Sequence, residues 1–439
     1  LPALCPERTR LVRAPQNGWG PGHAFAAGVA ATSGTVVLRL DADVVAGYRH
    51  VEAHMRWHHR TRLAAVTGRL VYTGALHGVA PEELHRQVRA EGVENLVGAD
   101  RGTMSWIERI LARTDTLREA GPRAWEVCIG ASLSVSRALF DEAGGVDTSM
   151  VLGEDSELAH RLVQHGAVVV PELETVAWHQ GRPRTEDRQE EAQRAARPFM
   201  ENRVPRHFTR RAAPVRSWQV PFVDVVVETG GEPYDAVAGK VDRLLAEDPW
   251  DIRVTLVGSW ERVTPGRNGG VDDPDVDLRL LHEHYRCEPR VRCASHAPEV
   301  DPDVPFVLSV PSGVAPHPRI VARTTGAADA QQAGIVRARG CVGPVLVRVS
   351  ALARARRLWG DGADRDDGVV QVWGEHTMEP DLLLQGEDTA PADWHAQMRR
   401  AEKDRDKARR EAVRWERRIS SLTGGRWTRL LLGRGAVRG

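Results

Sequence analysis

The chain has 439 residues, too many for one ordinary hydrophobic core, so we expect two domains and additional segments. Hydrophobic residues make up 41% of the chain and charged residues 27%, which is typical of soluble globular proteins. The formal net charge of zero predicts no nucleic-acid partner, and no apolar run reaches the roughly 18 residues that span a bilayer.

The five cysteines are odd in number and form no CxxC motif, which favours reduced thiols over a disulfide framework or a zinc site. A metal site built from two of them and two nearby histidines is the disfavoured alternative, because the spacing matches no established pattern. These residues are Cys287, Cys293, His282 and His284. No signal peptide is visible, and we expect a cytoplasmic protein.

The first part of the chain predicts alternating strands and helices. Residues 8–14 are interpreted as a short strand, and the alanine-rich residues 23–32 as a helix after the glycine-rich loop 17–22. The glycines before this helix suit either a tight turn or a close backbone approach to a phosphate. Residues 35–45, TVVLRLDADVV, form the next strand, which we expect to lie buried in a parallel sheet.

Two carboxylates end this strand, at Asp41 and Asp43. In extended backbone, side chains two residues apart point the same way, so both would project at the carboxyl end of the strand, where open α/β sheets bind ligands. Two hard oxygen ligands at one sheet edge suit Mg²⁺ or Mn²⁺ carrying a diphosphate. An acidic turn without a ligand is the alternative that this short pattern leaves open.

A helix is predicted over residues 48–60, and it carries three histidines at i, i+4 spacing. These are His50, His54 and His58. The spacing suits a metal ion, but no set of carboxylates lies among them, so we favour a solvated helix face. A strand is predicted over residues 64–72. Residues 81–120 are polar and helical in pattern, which indicates an insertion over the active face.

Residues 126–135 predict a further strand, followed by a short helix that stops at two glycines. A second helix opens at Glu154 and Asp155, where the positive end of the helix dipole favours ionised carboxylates. A simple capping role is the alternative for these acids. Residues 167–170 are interpreted as the next strand, and His179 follows it closely.

This part of the chain resembles a bacterial, non-processive family 2 glycosyltransferase of the GT-A fold, on four segments in series: LRLDADVV, CIGASLSVSRALFDEAGGVD, GEDSELAHRL and VAWHQG. The resemblance implies an α/β, Rossmann-like domain in which Asp41 and Asp43 hold Mn²⁺ or Mg²⁺ against the diphosphate of a sugar nucleotide. It implies that His179 completes the metal shell. It also implies that Asp155 takes the proton of the acceptor hydroxyl and that Glu154 orients the acceptor.

The resemblance covers about residues 8–182, and we set this domain at residues 1–182. It implies metal-dependent sugar transfer, with inversion in a single displacement, from a nucleotide-diphosphate donor to a glycan, lipid-linked or small-molecule acceptor. Cell-surface polysaccharide synthesis is the expected setting, by analogy. The first strand and helix of the family are not seen before Leu1, so we expect an N-terminal piece to be missing. A non-catalytic glycosyltransferase-like scaffold and a nucleotidyltransferase stay open as alternatives.

A second, degenerate GT-A-like α/β domain is predicted over residues 218–387, after a charged, proline-punctuated linker at residues 183–217. The segments VDVVVET, DAVAGKVDRLLAED and DIRVTLVGSW predict strand, helix and strand. Further along, FVLSVPSGVAP lies where LRLDADVV stands in the first domain, with Pro311-Ser312-Gly313 in place of the acidic triplet.

The likeness between the two domains extends to residues 341–360, which echo residues 128–145, and we interpret Trp373-Gly374-Glu375-His376 as an echo of Gly153-Glu154-Asp155. A chance match between two α/β domains is the alternative to this internal duplication. Because the second copy lacks the metal carboxylates, we expect a structural or acceptor-binding role for it.

Residues 388–439 are rich in arginine and glutamate. Apolar residues at 4-3 spacing from Trp394 to Leu422 predict a short coiled-coil helix, and its several alanines predict weak self-association. The basic, apolar residues 426–432 either dock on the body of the protein or touch the inner face of the membrane. Docking is favoured, since one short segment anchors poorly.

Overall fold

Two β-sheets follow one another along the chain, and helices pack against each of them. The structure, a computed structural model, describes residues 9–15, 20–90, 93, 96, 102–181, 188–210, 216–247, 251–264, 270–360 and 365–385. Both sheets belong to one compact unit that ends at Gln385. The coiled coil and basic tail predicted for residues 388–439 lie outside the described residues. The α/β class expected from the sequence is confirmed.

In the described part of the chain, the first sheet has six strands in the order β1-β5-β3-β6-β2, with β4 beside β3. They are β1 (Val36–Leu40), β2 (Val44–Ala46), β3 (Ala64–Thr73), β4 (Gly102–Thr103), β5 (Ser132–Ser136) and β6 (Val168–Gln180). β3 and β6 run parallel, whereas β1 pairs antiparallel with β5. The parallel environment predicted for β1 is therefore wrong, because β5 is its neighbour.

Helices connect these strands. They are α1 (Pro21–Ala30), α2 (His50–Arg60), α3 (Pro81–Arg89), α4 (Ser105–Arg113), α5 (Arg137–Glu142), α6 (Glu154–Gln164) and α7 (Gln189–Arg203). Ser136 caps α5, since its Oγ accepts the Leu139 N–H at 3.4 Å. α7 lies in the predicted linker, yet Met200 on α7 and Val204 just after it are buried in the core of the first domain.

Three predicted strands differ from the structure. Residues 9–15 have no regular secondary structure. A 3₁₀ helix at Gly121–Val127 occupies the start of the strand predicted over residues 126–135, so β5 begins later. β6 continues past Pro171, because its pairing with β3 shifts register between Gly68 and Arg69 and then resumes. His179 therefore lies inside the strand.

The second sheet, within the described residues, has seven strands in the order β13-β11-β12-β10-β7-β8-β9. They are β7 (Val223–Glu228), β8 (Ile252–Val257), β9 (Val291–Ala294), β10 (Phe306–Val310), β11 (Ile335–Ala338), β12 (Val345–Arg348) and β13 (Glu375–Met378). The helices are α8 (Tyr234–Ala246), α9 (Val276–Tyr285), α10 (Ile320–Ala330), α11 (Val349–Trp359), α12 (Arg365–Trp373) and α13 (Pro380–Leu383). β7 and β8 are parallel with α8 between them, as predicted.

The two sheets share one arrangement of four strands. The runs β1-β5-β3-β6 and β10-β12-β11-β13 have the same order and the same directions, antiparallel, antiparallel and parallel. This agreement supports the predicted internal duplication. The predicted echo of Gly153-Glu154-Asp155 at residues 373–376 is wrong, because Trp373 ends α12 and Glu375 begins β13.

Apolar side chains fill the space between each sheet and its helices. In the second sheet, Val225 and Leu308 are buried with Val237 from α8. In the first sheet, Val37 packs in one cluster with Leu162 from α6. Among the described residues, no helix combines the length and the apolar character needed to cross a membrane.

Helix α2 turns His50, His54 and His58 toward β5, so the predicted solvated face is wrong. His50 and His54 are each 1% exposed. Ser132 Oγ lies 3.2 Å from His50 Nε2 and 3.3 Å from His54 Nε2. Ser134 Oγ lies 2.8 Å from both His54 Nδ1 and His58 Nε2. The helix pattern could not reveal this arrangement, because the serines that bind the imidazoles come from a strand far along the chain.

We predict that His54 makes the fold sensitive to acid. Burial, with the neighbouring His50 and His58 acting in the same direction, lowers the pKa of His54 from 6.5 to about 3. Below pH 6.5 His54 takes up a proton in the unfolded chain but not in the folded chain. The free energy of unfolding therefore falls by about 1.4 kcal/mol per pH unit. His54→Gln should remove this contribution in urea unfolding series at neutral and mildly acidic pH.

The matched control for this prediction is His59→Gln, at an exposed position of the same helix. It should leave the pH dependence of the unfolding free energy as it is in the parent protein. The same slope in the parent and in His54→Gln would contradict a buried, neutral imidazole at position 54.

Candidate active site

The chain turns sharply at the carboxyl end of β1. The Val44 N–H donates to the Asp41 carbonyl at 3.1 Å, and Ala42 and Asp43 form the turn into β2. The extended geometry predicted across Asp41 and Asp43 is therefore wrong, because the chain reverses direction between two strands. Both carboxylates still lie at the carboxyl end of β1, with their side chains 35% and 56% exposed.

Strand pairing brings Asp43 to His179. Val44 lies directly opposite His179 in the β2–β6 pair, which places the preceding residue beside the imidazole. His179 Nε2 is 3.6 Å from Asp43 Oδ1, and His179 Nδ1 is 3.0 Å from the carbonyl oxygen of Gly181. A carbonyl can only accept, so Nδ1 carries a hydrogen, and Nε2 is the ring nitrogen that faces Asp43.

Arg39 joins the end of β1 to helix α6. Its guanidinium, 7% exposed, donates from Nε to Asp41 Oδ1 and from Nη1 to Glu154 Oε1, each at 3.2 Å. Its Cζ lies 5.3 Å from the ring centroid of Phe25, and a Cβ on Gly130 would lie 2.4 Å from Cζ. Four separate segments of the chain therefore meet at one side chain.

The pattern of the strand assigned no role to Arg39. The available signal was a lone arginine in a buried strand, two residues before a carboxylate, since arginine is rarely buried without a partner. Gly130, whose missing side chain leaves room for the guanidinium, carried no such signal.

The backbone holds Asp155 at two points. Its Oδ2 accepts the Gly130 N–H at 3.0 Å, and its Oδ1 accepts the Ser156 N–H at 2.7 Å. Both bonds fix the carboxylate at the amino end of α6, where the helix dipole favours negative charge. The structure thus brings Glu154 and Asp155 to the group that also holds Asp41.

Burial controls the protonation of Glu154. Desolvation, reinforced by the charge of Asp155, raises the pKa of Glu154 to about 7 against the opposing effect of Arg39. Burial alone would lower the pKa of Arg39, but Asp41, Asp155 and Glu154 outweigh it and raise that pKa above its ordinary value. Arg39 therefore stays charged, while Glu154 can exchange a proton near neutral pH.

The donor set at Asp43 and His179 fits a divalent cation. A carboxylate oxygen and an imidazole nitrogen face each other at 3.6 Å, and both groups are ordinary ligands for such ions. Asp41 Oδ1 instead accepts from Arg39. Among the described residues, no group of three or more His, Cys, Asp and Glu side chains is arranged to hold a metal ion. The structure thus brings two of the three expected ligands together.

A cleft of about 1130 Å³ lies away from these residues, at the amino end of β1. Thr35, Arg137 and Arg357 contribute to its lining. It contains none of the expected site residues, since Asp41 stands at the opposite end of the strand. Size alone therefore does not mark the candidate active site.

At the matching position of the second sheet, an ion pair takes the place of the acidic triplet. β10 is followed by Pro311-Ser312-Gly313, and Glu232 Oε1 accepts from Ser312 Oγ at 3.2 Å and from the Gly313 N–H at 2.9 Å. The same oxygen accepts from Lys240 Nζ at 2.5 Å. The Lys240 and Glu232 side chains are only 5% and 15% exposed, so the pair is largely shielded from water.

Residues 3–101 match the family model described as Glycosyl transferase family 2. The family expected from the sequence is confirmed for this part of the chain. The same match supports the enzyme class expected from the sequence, a glycosyltransferase. The matched residues include Asp41 and Asp43 and end before Glu154.

Two solved structures of S. aureus TarS 1-349 are similar to this chain. The complex with UDP-GlcNAc is 11% identical with a TM-score of 0.25, over 39% of this chain and 60% of that chain. The complex with UDP is 13% identical with a TM-score of 0.25, over 40% and 63%. This chain therefore spans less than two thirds of either one. No curated protein sequence matches it.

We predict that Gly22→Ala disturbs the site through packing. Gly22 is buried in the first turn of α1, and a Cβ there would lie 2.8 Å from Glu154 Cγ and 3.2 Å from Val146 Cγ2. Overpacking of this kind should lower the unfolding free energy by about 1–3 kcal/mol in urea titrations. Gly28→Ala, on the same helix with nothing within 4 Å, should raise it by about 0.5–1 kcal/mol. Equal effects at both glycines would contradict close packing of α1 on α6.

A second prediction concerns the ion pair between Glu232 and Lys240 in the second sheet. Glu232→Gln should lower the unfolding free energy by about 3–5 kcal/mol, because it leaves the buried ammonium of Lys240 without its carboxylate. The double variant Glu232→Gln/Lys240→Met removes that charge and should recover most of the loss. A double-mutant cycle by chemical denaturation measures the coupling, and purely additive effects would refute the pairing.

Proposed function

We propose that this chain moves a sugar from a nucleoside-diphosphate donor to an acceptor hydroxyl, with inversion at the anomeric carbon. The observation that carries the proposal is the meeting, at Arg39, of the carboxyl end of β1 and the amino end of α6. The family match over residues 3–101 supports the same reaction class. The residues that we assign to the site are Asp41, Asp43, Glu154, Asp155 and His179.

On the donor side, Asp43 and His179 would hold Mn²⁺ or Mg²⁺, with Asp41 beside them. When bound, the cation neutralises negative charge that develops on the leaving diphosphate. Gly181 keeps the hydrogen of His179 on Nδ1, which leaves Nε2 free to bind a cation. Arg39 restrains Asp41 and places a fixed positive charge at the end of the strand.

On the acceptor side, we assign Asp155 as the base. Its carboxylate takes the proton of the acceptor hydroxyl while that oxygen bonds to the anomeric carbon. The bond from this carbon to the diphosphate breaks at the same time, and the electron pair leaves on the diphosphate oxygen. Gly130 and Ser156 hold the carboxylate in one orientation, so little rearrangement precedes the proton transfer.

We assign Glu154 a positioning role in place of the contact with the acceptor that the family resemblance implied. The side chain is 4% exposed and bonds to Arg39, so it is better placed to hold the guanidinium than to meet a substrate. Its protonation near neutral pH would then change how firmly Arg39 and Asp41 are held.

The reaction belongs to the first domain in this proposal. In the second domain, Glu232 and Lys240 fill the position where the first domain carries its carboxylates, which leaves no place there for a cation and a diphosphate. The two alternative functions predict different results in a sugar-transfer assay. A nucleotidyltransferase would consume a nucleoside triphosphate and release diphosphate, and a scaffold would bind no donor.

The proposed acceptor is a glycan, a lipid-linked sugar or a small molecule, in a cytoplasmic step of cell-surface polysaccharide synthesis. The expected self-association and membrane contact fall on residues 388–439, outside the described residues, and stay predictions. Because the acceptor is not fixed to one of these classes, soluble and lipid-linked acceptors are assayed in parallel.

The experiment that tests the function measures transfer and donor binding with a panel of nucleotide sugars and Mn²⁺. Asp155→Asn should lower kcat by about 10²–10⁴-fold with little change in the donor KM, because it removes the base alone. Asp43→Asn should weaken metal-dependent donor binding itself, since it removes a ligand. Asp141→Asn, an exposed carboxylate of the same domain, is the matched control and should behave like the parent.

A folded parent protein that binds no nucleotide sugar would refute the transferase and leave the scaffold. Release of diphosphate from a nucleoside triphosphate would favour the nucleotidyltransferase. Transfer that persists at the parental rate in Asp155→Asn would contradict the assignment of the base while leaving the reaction class in place.

A further inference from the structure

The carboxyl end of helix α6 is where the second domain meets the first. α6 ends at Gln164, and Gly166 follows in the left-handed region with a φ of +94°. A Cβ on Gly166 would lie only 2.9 Å from the backbone N of Arg354, on helix α11 of the second domain. The two elements therefore touch backbone to backbone, at a point that only glycine allows.

Two arginines of α11 bind the carbonyl groups at this end of α6. Arg354 donates from Nε to the Gly166 carbonyl at 3.2 Å and from Nη2 to the Ala167 carbonyl at 2.8 Å. Arg357 donates from Nε to the His165 carbonyl at 2.7 Å. Three consecutive carbonyl groups, those of the residues that directly follow the helix, thus accept hydrogen bonds from the other domain.

The two arginines differ in their other contacts. Arg357 also pairs with Glu142 of α5, so part of its role is an ordinary ion pair. Among the described residues, no carboxylate pairs with Arg354, whose guanidinium lies 5.3 Å from the ring centroid of Trp373. Burial lowers the pKa of Arg354 to about 10. A buried cation with no anion and two backbone acceptors is placed to hold those acceptors.

Helix α6 connects this contact to the candidate active site. Glu154 and Asp155 stand at its amino end, and the carbonyls held by Arg354 lie just beyond its carboxyl end. A cation at the carboxyl end of a helix also suits the helix dipole. Nearby, Gln164 Nε2 donates to the Asp303 carbonyl at 3.4 Å, so the second domain makes another contact with the same end of the helix.

We propose that Arg354 is a positioning residue for sugar transfer: by holding the carbonyls of Gly166 and Ala167, it fixes helix α6 and keeps Asp155 against Gly130. The inference rests on the proposed function, because Asp155 matters only if the transfer occurs at α6. It gives the second domain a role that needs no substrate of its own. The domain sets the orientation of the helix that carries the base.

The test compares Arg354→Gln and Arg354→Lys with the parent, in the full chain. Arg354→Gln should lower kcat by about ten- to a hundredfold with the donor KM unchanged, because a base displaced by about 1 Å loses that much rate. Arg354→Lys keeps a donor for one carbonyl and should restore part of kcat. The control is Arg339→Gln, which breaks an exposed ion pair with Glu379 in the same domain and should change neither constant.

Hydrogen exchange of residues 154–166 is measured on the same proteins, and it needs no activity. Arg354→Gln should speed exchange in α6, and Arg339→Gln should not. Unchanged exchange in α6 overturns the inference. So does faster exchange with an unchanged kcat per folded molecule, or an equal loss of kcat in the Gln and Lys variants.

The two proposals fail in different ways. A parent protein that transfers no sugar refutes the proposed function, and the positioning role for transfer falls with it, even where exchange shows that Arg354 holds α6. A parent that transfers sugar while Arg354→Gln keeps its full kcat refutes only the positioning role. If Arg354→Gln does not fold, Arg354→Lys decides by the same two readouts.

Discussion

A buried guanidinium between two carboxylates is the constraint on which the first domain depends. Arg39 lies inside a strand and stays charged there because Asp41 and Glu154 accept from it. Glu154 in turn lies buried beside Arg39, and removing Glu154 would leave the buried guanidinium with one carboxylate fewer. The distance between the end of β1 and the start of α6 is therefore fixed. Group transfer between a donor and a base needs such a fixed separation, since small displacements reduce the rate steeply.

The second domain keeps the strand arrangement and changes the chemistry at its edge. Where an acidic triplet would leave carboxylates for a cation, Ser312 and Gly313 supply hydrogen-bond donors, and Glu232 with Lys240 closes the position. Buried polar groups are satisfied in this way within the domain itself. The domain then contacts the first one at the far end of α6. The second domain thus lacks the acidic triplet of the first and contacts a helix of its neighbour through Arg354.

Local patterns predicted most helices, because their limits follow from glycines, caps and apolar spacing, as at α2, α5 and α6. The failures share one cause, which is tertiary pairing. The direction of β1 depended on β5, the bulge in β6 depended on β3, and the burial of His54 depended on serines of β5. The expected acids of the site came together, but Arg39, which holds two of them, was missed. A pattern along one segment does not show which side chain of another segment will share its charge.

The two sheets differ in the length of one connection between matching strands. β11 and β12 are joined by the short connection 339–344, whereas β3 and β5 are separated by residues 74–131, which include α3 and α4. Ile107 of α4 packs with Ile129, next to the glycine that holds Asp155. Water is the simplest hydroxyl acceptor, so an uncovered site would hydrolyse an activated sugar before any larger acceptor arrived. In the proposed reaction, α4 would help to keep water from the acceptor position, and the connection between β11 and β12 contains no matching helix.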